Sequence, residues 1–289
     1  MDLLCAHPHP LSSQLIIALR PYILYRRGLL KDPLILKIGG SVITDKNRPL
    51  AIDSISIESV CSDIGRAYRE GVRRLVIVHG GGSYGHYIVK KILESKGYID
   101  EEGFSEITWW MGELNRELVS RLRNRGLPAI SIATHAAFYE EARESFKYLF
   151  EPIYLMIERG LIPVLYGDAI VSRERGYVVL SGDTISWLLA SKLGSKKVLF
   201  ATNVDGVFDR DPSQPGAVLL REFKISRDMA VLDGSSSRYD VTGGMRRKIL
   251  EGIEILKSGV KALVFNGRKS GYIYKALIGY EDIGTVILY

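Results

Sequence analysis

The sequence predicts an α/β fold: an open αβα sandwich around a central, mostly parallel sheet. Three observations predict it. Short apolar runs recur along the chain with little polar interruption, as strands buried on both faces require. Each run leads into a glycine or a glycine-containing turn, which marks the carboxyl end of a strand. Helical stretches follow these turns, so β-loop-α units repeat and helices cover both faces of the sheet.

Leu34-Ile-Leu-Lys-Ile38 is the first strand, running into Gly39-Gly40-Ser41. A helix is predicted over about residues 56–70, closed by Gly71. Leu75-Val-Ile-Val78 is the second strand, ending in a triple glycine, with a helix beyond it through Leu93. A long helix over about 105–125, an extended stretch over 128–132 and a helix near 152–159 come next. Ile162-Pro-Val-Leu-Tyr166 is a strand stopped by Gly167-Asp168. Ala169-Ile-Val171 and Tyr177-Val-Val-Leu180, joined by Ser-Arg-Glu-Arg-Gly, predict a β-hairpin on the same sheet. Ser181-Gly-Asp183 opens a helix through Leu193. Lys197-Val-Leu-Phe-Ala201 is a strand leading into a polar turn, a helix spans about 244–257, and Ala262-Leu-Val-Phe265 is a further strand. Residues 135–150 are the least legible part.

At 289 residues, 46% hydrophobic and 25% charged, the chain has a globular composition and buries a sizeable core without cross-links. Its two cysteines, Cys5 and Cys61, make neither a disulfide framework nor a paired-cysteine metal site, and a reducing, cytoplasmic setting is expected. The net charge of +6 suits an anionic partner. The basic residues are interleaved with Asp and Glu, and runs such as Lys90-Lys91 and Arg246-Arg247-Lys248 read as element ends. That pattern argues against nucleic acid and for a small anionic substrate. Residues 1–31 stand apart as an extension with no assigned role. The apolar stretch Leu11 to Tyr25 is interrupted by Arg20 and Pro21 and is too short for a membrane span.

Backbone N–H groups of a glycine-rich turn at a helix start form an anion site, because glycine lets an oxygen approach the main chain. Three such places occur: Gly39-Gly40-Ser41, Gly80-Gly81-Gly82 and Gly243-Gly244. None has the P-loop spacing or the dinucleotide Gly-x-Gly-x-x-Gly context. A lone glycine turn is ordinarily just a tight turn; several at strand ends, with lysines close by, point to phosphate. Lys37 stands between Leu36 and Ile38 inside an apolar strand, a costly place for an ammonium without a partner. Lys46 follows the first glycine pair, and Lys248 sits about one turn into the helix after Gly244. Asp183, after Gly182, reads as a helix N-cap or as a carboxylate that orients lysines. Two phosphate-bearing reactants repel, so phosphoryl transfer needs convergent cations and backbone donors of this kind.

Taken in order, Lys37-Ile-Gly-Gly-Ser41, His79-Gly-Gly-Gly82, Ser181-Gly-Asp183, Thr202-Asn-Val-Asp-Gly-Val-Phe208 and Thr242-Gly-Gly-Met-Arg-Arg-Lys248 resemble the motifs of the amino acid kinase superfamily. The resemblance covers about residues 34–289. Within that superfamily, Val78-His-Gly-Gly-Gly-Ser-Tyr-Gly-His86, with Thr44-Asp45-Lys46 upstream, is similar to the archaeal type of isopentenyl phosphate kinase. Acetylglutamate kinases carry a similar triple glycine without the histidine, uridylate kinases have a different loop, and fosfomycin kinases share the histidine. Tyr84 is a mild departure, since Phe is frequent there.

The resemblance implies a single domain over residues 32–289, with an acceptor-phosphate part to about residue 180 and an ATP part from about 181. It implies a homodimer that uses ATP and Mg²⁺ to phosphorylate isopentenyl phosphate, with no protein ligand assigned to the metal. By the same resemblance Lys37 and Lys248 hold the donor phosphates, Lys46 stabilises the transferring group, and Asp183 organises the lysines or contacts the nucleotide. Ile38, Gly39, Gly40, Ser41, Gly82 and Gly244 belong to the ATP site, with Asn203, Asp205, Gly206 and Asp209 near the nucleoside. Gly81, His86 and Gly167 bind the acceptor phosphate, while His79 packs or bonds locally. A slot for the apolar tail is expected near Ile107, Trp109, Trp110 and Met111 or on the helix after His86. Two other functions fit the same residues less well: a kinase for another small acid such as fosfomycin, and a catalytically silent nucleotide binder. Loss of Lys37, Lys46, Asp183 or Lys248 would favour the silent binder, and all four are present.

Overall fold

Each long apolar run forms a strand whose alternate side chains enter opposite cores. The computed structural model describes residues 32–210, 215–227 and 243–289. In chain order the elements are β1 (Leu34–Ile38), α1 (Gly40–Ile43), α2 (Ser54–Arg69), β2 (Leu75–His79), α3 (Gly82–Lys96), α4 (Glu101–Arg123), β3 (Ala129–Ser131) and α5 (Thr134–Ala137). Next come β4 (Phe138–Ala142), β5 (Ser145–Tyr148), α6 (Phe150–Glu158), β6 (Ile162–Tyr166), β7 (Asp168–Ser172), β8 (Gly176–Leu180) and α7 (Gly182–Leu193). The rest are β9 (Lys197–Thr202), β10 (Glu222–Lys224), α8 (Gly243–Glu251), α9 (Ile253–Lys257), β11 (Lys261–Asn266), α10 (Tyr272–Leu277) and β12 (Gly284–Leu288).

The large sheet has the order β10-β12-β11-β9-β1-β2-β6-β3 and is parallel except for the β11–β12 pair. Leu36 and Ile38 of β1 enter a core shared with α2, α3, α4 and α10. Ile35 enters a second core with α6, α7, α8 and α9. Burial on both faces explains why the strands read as unbroken apolar runs rather than alternating ones. From β1 the order runs outward both ways, to β2 and β6 on one side and to β9 and β11 on the other. The carboxyl ends of β1, β2 and β9 therefore form a switch point, where open α/β sheets leave a crevice.

The hairpin over 168–180 forms, but not on the large sheet. It belongs to a second sheet of order β5-β4-β7-β8. The poorly legible 138–148 stretch is itself a hairpin, and its Tyr139 and Glu140 pair in parallel with Val171 and Ser172. The expected helix over 244–257 is two helices. Trp187 donates its indole N–H to the Lys248 carbonyl at 3.1 Å, the oxygen that the Gly252 N–H would otherwise use, and that N–H turns to Ile249 instead. A Cβ on Gly252 would overlap the Trp187 ring. From Asp32 the described chain is one compact unit; the expected extension over 1–31 lies outside the described residues. Among the described residues no helix is long and apolar enough to cross a membrane.

Glu140 anchors the small sheet from a fully buried position. Its carboxylate pairs with Arg175 and accepts from the Ser172 hydroxyl at 2.5 Å and the Glu144 amide at 2.9 Å. Arg175, acting against burial and helped by those two donors, holds the carboxyl down to about 2. A carboxyl depressed in the folded state stabilises above its unfolded pKa, here near 4.5, and that contribution is lost as pH falls toward 2. The melting-temperature gap between the native chain and Glu140→Gln should thus be widest near neutrality and shrink below about pH 4.5. A gap independent of pH would show that the ionised form contributes nothing.

Candidate active site

Two glycine turns meet at the switch point. Gly39 donates its N–H to the Ala201 carbonyl at 2.8 Å, which fastens the first turn to β9. Gly40 approaches Gly82 so closely that a Cβ on Gly40 would overlap the Gly82 backbone nitrogen. Gly82 also has φ at 51°, a left-handed conformation that favours glycine. Gly80 donates its N–H to the Ile38 carbonyl at 2.9 Å, and Ser83 donates its own to the Thr44 hydroxyl at 3.0 Å. The N–H groups of Gly40, Ser41, Gly81 and Gly82 meet no acceptor among the described residues. Four free amides on two facing turns suit phosphate oxygens.

Beside the turns lies a buried charge cluster. Lys37 reaches Asp183 at 2.7 Å, and Lys248 donates to the other carboxylate oxygen at 2.6 Å. Lys37 cannot reach solvent at a sheet edge, since β1 is central in the sheet and the residue is 8% exposed. Asp183 is not the N-cap: Ser181 accepts the Thr184 N–H at 3.0 Å and takes that role. Capping by Ser181 leaves both Asp183 oxygens to the lysines, in a first turn that favours negative charge. Burial by itself would raise the Asp183 carboxyl, but Lys37 and Lys248 outweigh it and hold the group well below the usual carboxylate range. Burial and then the Lys37 charge push the Lys248 ammonium down to about 8, against the pull of Asp183.

The turns and the lysines open into one cavity of about 810 Å³. Of the residues singled out in the sequence, Lys37, Gly39, Gly40, Ser41, Lys46, Gly81, Gly82, His86, Asn203 and Lys248 line it. No carboxylate does among the described residues, so the wall is positive. His86 projects from the exposed face of α3. Lys46 rides on the 45–50 turn, which is bonded back through Asp45 N–H to Ala51 O at 2.9 Å. Ser41 and Asn203 join the β1 and β9 turns by a 3.2 Å hydrogen bond.

Other candidates stand behind the wall. Ile38 is core. The Gly167 N–H is committed to the His79 carbonyl at 2.9 Å, and a Cβ there would press on Gly182 at 3.0 Å. Asp205 accepts from Asn266 and Lys269, Gly206 packs on Thr285, and Asp209 accepts from Val218 and Arg210. These three shape the turn after β9. Gly244 lies in the first turn of α8, whose Met245 lines the cavity. His79 is fully buried, stacked on Tyr166 and bonded to Asn115 and Gly80; burial, aided by the Lys37 charge, lowers it to about 4. Ile107 and Met111 are core and Trp109 faces outward, so that segment forms no part of the lining.

A model of the amino acid kinase family matches residues 32–266. The chain belongs to that family. The isopentenyl phosphate kinase of Methanocaldococcus jannaschii is 37% identical over 268 residues, spanning 88% of this chain and 97% of its own length. The isopentenyl phosphate kinase of Methanothermobacter thermautotrophicus is 35% identical over 266 residues, spanning 88% of this chain and 98% of its own. A solved isopentenyl phosphate kinase structure superposes with a TM-score of 0.73 at 32% identity, covering 88% of this chain and 99% of that one.

Several lining residues of this amino acid kinase escaped the sequence reading. Tyr87 and Lys90 lie on α3 after His86, a stretch the sequence marks only as a region, and Asn47 and Pro49 follow Lys46. Lys90, four residues after His86, carried a readable signal in its helical spacing. Thr44 and Ser83 stand inside the quoted motifs, but the bond between them was not readable, because it depends on two distant turns meeting.

Removing the shared carboxylate should be costly. Asp183→Asn leaves two buried ammoniums without a counter-charge, and breaking such a cluster costs about 3–5 kcal/mol. The variant should melt well below the native chain at neutral pH. An unchanged melting temperature would show that the lysines do not depend on Asp183.

Proposed function

We propose that the chain transfers the γ-phosphoryl group of ATP to isopentenyl phosphate, giving ADP and isopentenyl diphosphate. His86 carries the reading: it ends the glycine turn and faces the same cavity as Lys37, Lys46 and Lys248. The near full-length similarity to isopentenyl phosphate kinases supports it. The positive wall fits two anionic reactants. A phosphate acceptor is already a nucleophile near neutrality, so the lack of a carboxylate among the described lining residues is no handicap.

In this reading Lys37 and Lys248 hold the donor phosphates, and Lys46 meets the charge on the transferring group. The amides of Gly40, Ser41 and Gly82 cradle donor oxygens, while Gly81 and His86 hold the acceptor phosphate. Catalysis then comes from in-line positioning and charge neutralisation. Mg²⁺ fits as an ion carried by the nucleotide, because Asp183 is already held by two ammoniums and no carboxylate among the described residues faces the phosphates. When bound it would neutralise phosphate charge. Residues beyond about 180 would serve ATP, and those to about 180 the acceptor, with the turns after β1 and β2 reaching the donor phosphates as well. The family resemblance suggests a homodimer, and the two-cysteine content a cytoplasmic setting.

The deciding experiment is ADP release by the purified chain with Mg-ATP, comparing isopentenyl phosphate with fosfomycin, acetylglutamate and UMP. Selective turnover of isopentenyl phosphate is expected, and turnover of another acceptor alone would overturn the substrate. Lys46→Ala should lower kcat roughly a hundredfold with little change in either KM, as loss of a transition-state contact does. His86→Ala should raise KM for isopentenyl phosphate far more than KM for ATP, and an equal rise in both would remove its acceptor role. Since the Lys248 ammonium loses its proton near pH 8, ATP binding above that pH should take up a proton. Calorimetry in buffers of different ionisation enthalpy would read this uptake, which should vanish by about pH 6.

A further inference from the structure

The two glycine turns belong to separate β-α units, and one buried side chain joins them. Thr44 is wholly buried. Its hydroxyl donates to the Gly40 carbonyl at 2.9 Å and accepts the Ser83 N–H at 3.0 Å. A threonine hydroxyl has one proton and two lone pairs, so a single oxygen can tie a carbonyl of the first turn to an amide of the second. The hydroxyl fits there only because Gly82 has no Cβ. Hydroxyls near helix ends routinely bond the carbonyl four residues back, which accounts for the Gly40 contact. It does not account for the bond to Ser83, 39 residues away.

The same contact sorts the amides. With the Ser83 N–H engaged, the donors that meet no acceptor among the described residues are Gly40 and Ser41 on one side and Gly81 and Gly82 on the other. Ser83 also donates its hydroxyl to the Ala51 carbonyl at 3.1 Å, which stitches the segment bearing Lys46 to the second turn.

We propose that Thr44 is a positioning residue for phosphoryl transfer, its hydroxyl setting the separation of the two turns and hence of the two phosphates they hold. The proposal rests on the reading of the cavity as a donor and acceptor site. Each turn can still bind its own phosphate without the clamp, so the loss falls on the step that needs both in line.

Thr44→Val keeps the shape and removes the hydroxyl, whereas Thr44→Ser keeps the hydroxyl. Val should lower kcat roughly tenfold to a hundredfold with both KM values within about threefold of native, while Ser stays within about threefold in kcat. Hydrogen exchange at the Ser83 amide should quicken in Val and stay slow in Ser, with melting temperature recorded alongside. If Val does not fold, Thr44→Cys, whose sulfur is a weaker and longer-range partner, should show the same kcat-only loss. The proposal is overturned if kcat in Val is within about twofold of native, if both KM values rise with it, or if Ser does no better than Val. A native chain that does not turn over isopentenyl phosphate would sink the substrate reading alone. Exchange at Ser83 then decides the clamp: unchanged protection in Val overturns it, and faster exchange in a folded Val variant supports it.

Discussion

One carboxylate, Asp183, balances two buried ammoniums, and the site is organised around that imbalance. Lys37 can occupy a central strand only because an anion meets it there. Lys248 can lie 6% exposed above the Phe200 ring for the same reason. A carboxylate with two cations leaves a positive excess, and both cations line the cavity. The excess is therefore aimed at the cavity. The short run Ser181-Gly-Asp183 makes this possible with a division of labour: Ser181 caps the helix, Gly182 lets it come within reach of the His79 carbonyl, and Asp183 is left to the lysines.

The backbone supplies what side chains cannot. A parallel sheet whose order diverges from β1 brings the ends of β1, β2 and β9 together. The turns that follow must then pass each other almost in contact, which excludes any side chain at Gly40 or Gly82. The reward is a set of fixed N–H dipoles that need no reorganisation when an anion arrives.

Much of this was legible before the structure. Buried parallel strands announce themselves as apolar runs, and a lysine inside one, as at Lys37, demands a partner. His86 was legible because it closes a motif. The small sheet was not, because β4 and β5 mix charged and aromatic residues, Phe-Tyr-Glu-Glu-Ala and Ser-Phe-Lys-Tyr, with no apolar run to mark them. The break at Gly252 depends on an indole 65 residues earlier in the chain. Gly167 and Asp205 occupy motif positions yet serve neighbouring backbone and side chains, a distinction that spacing alone does not carry.

The small sheet has a mechanical consequence. Its hairpins leave the chain on either side of β6, and they meet through Tyr139–Val171 and Glu140–Ser172. That pairing closes a ring of polypeptide of which β6 is itself one arm, seated in the large sheet between β2 and β3. Pulling β6 free requires either parting β4 from β7 or dragging both hairpins with it. The two sheets share no strand, yet they must yield together under load.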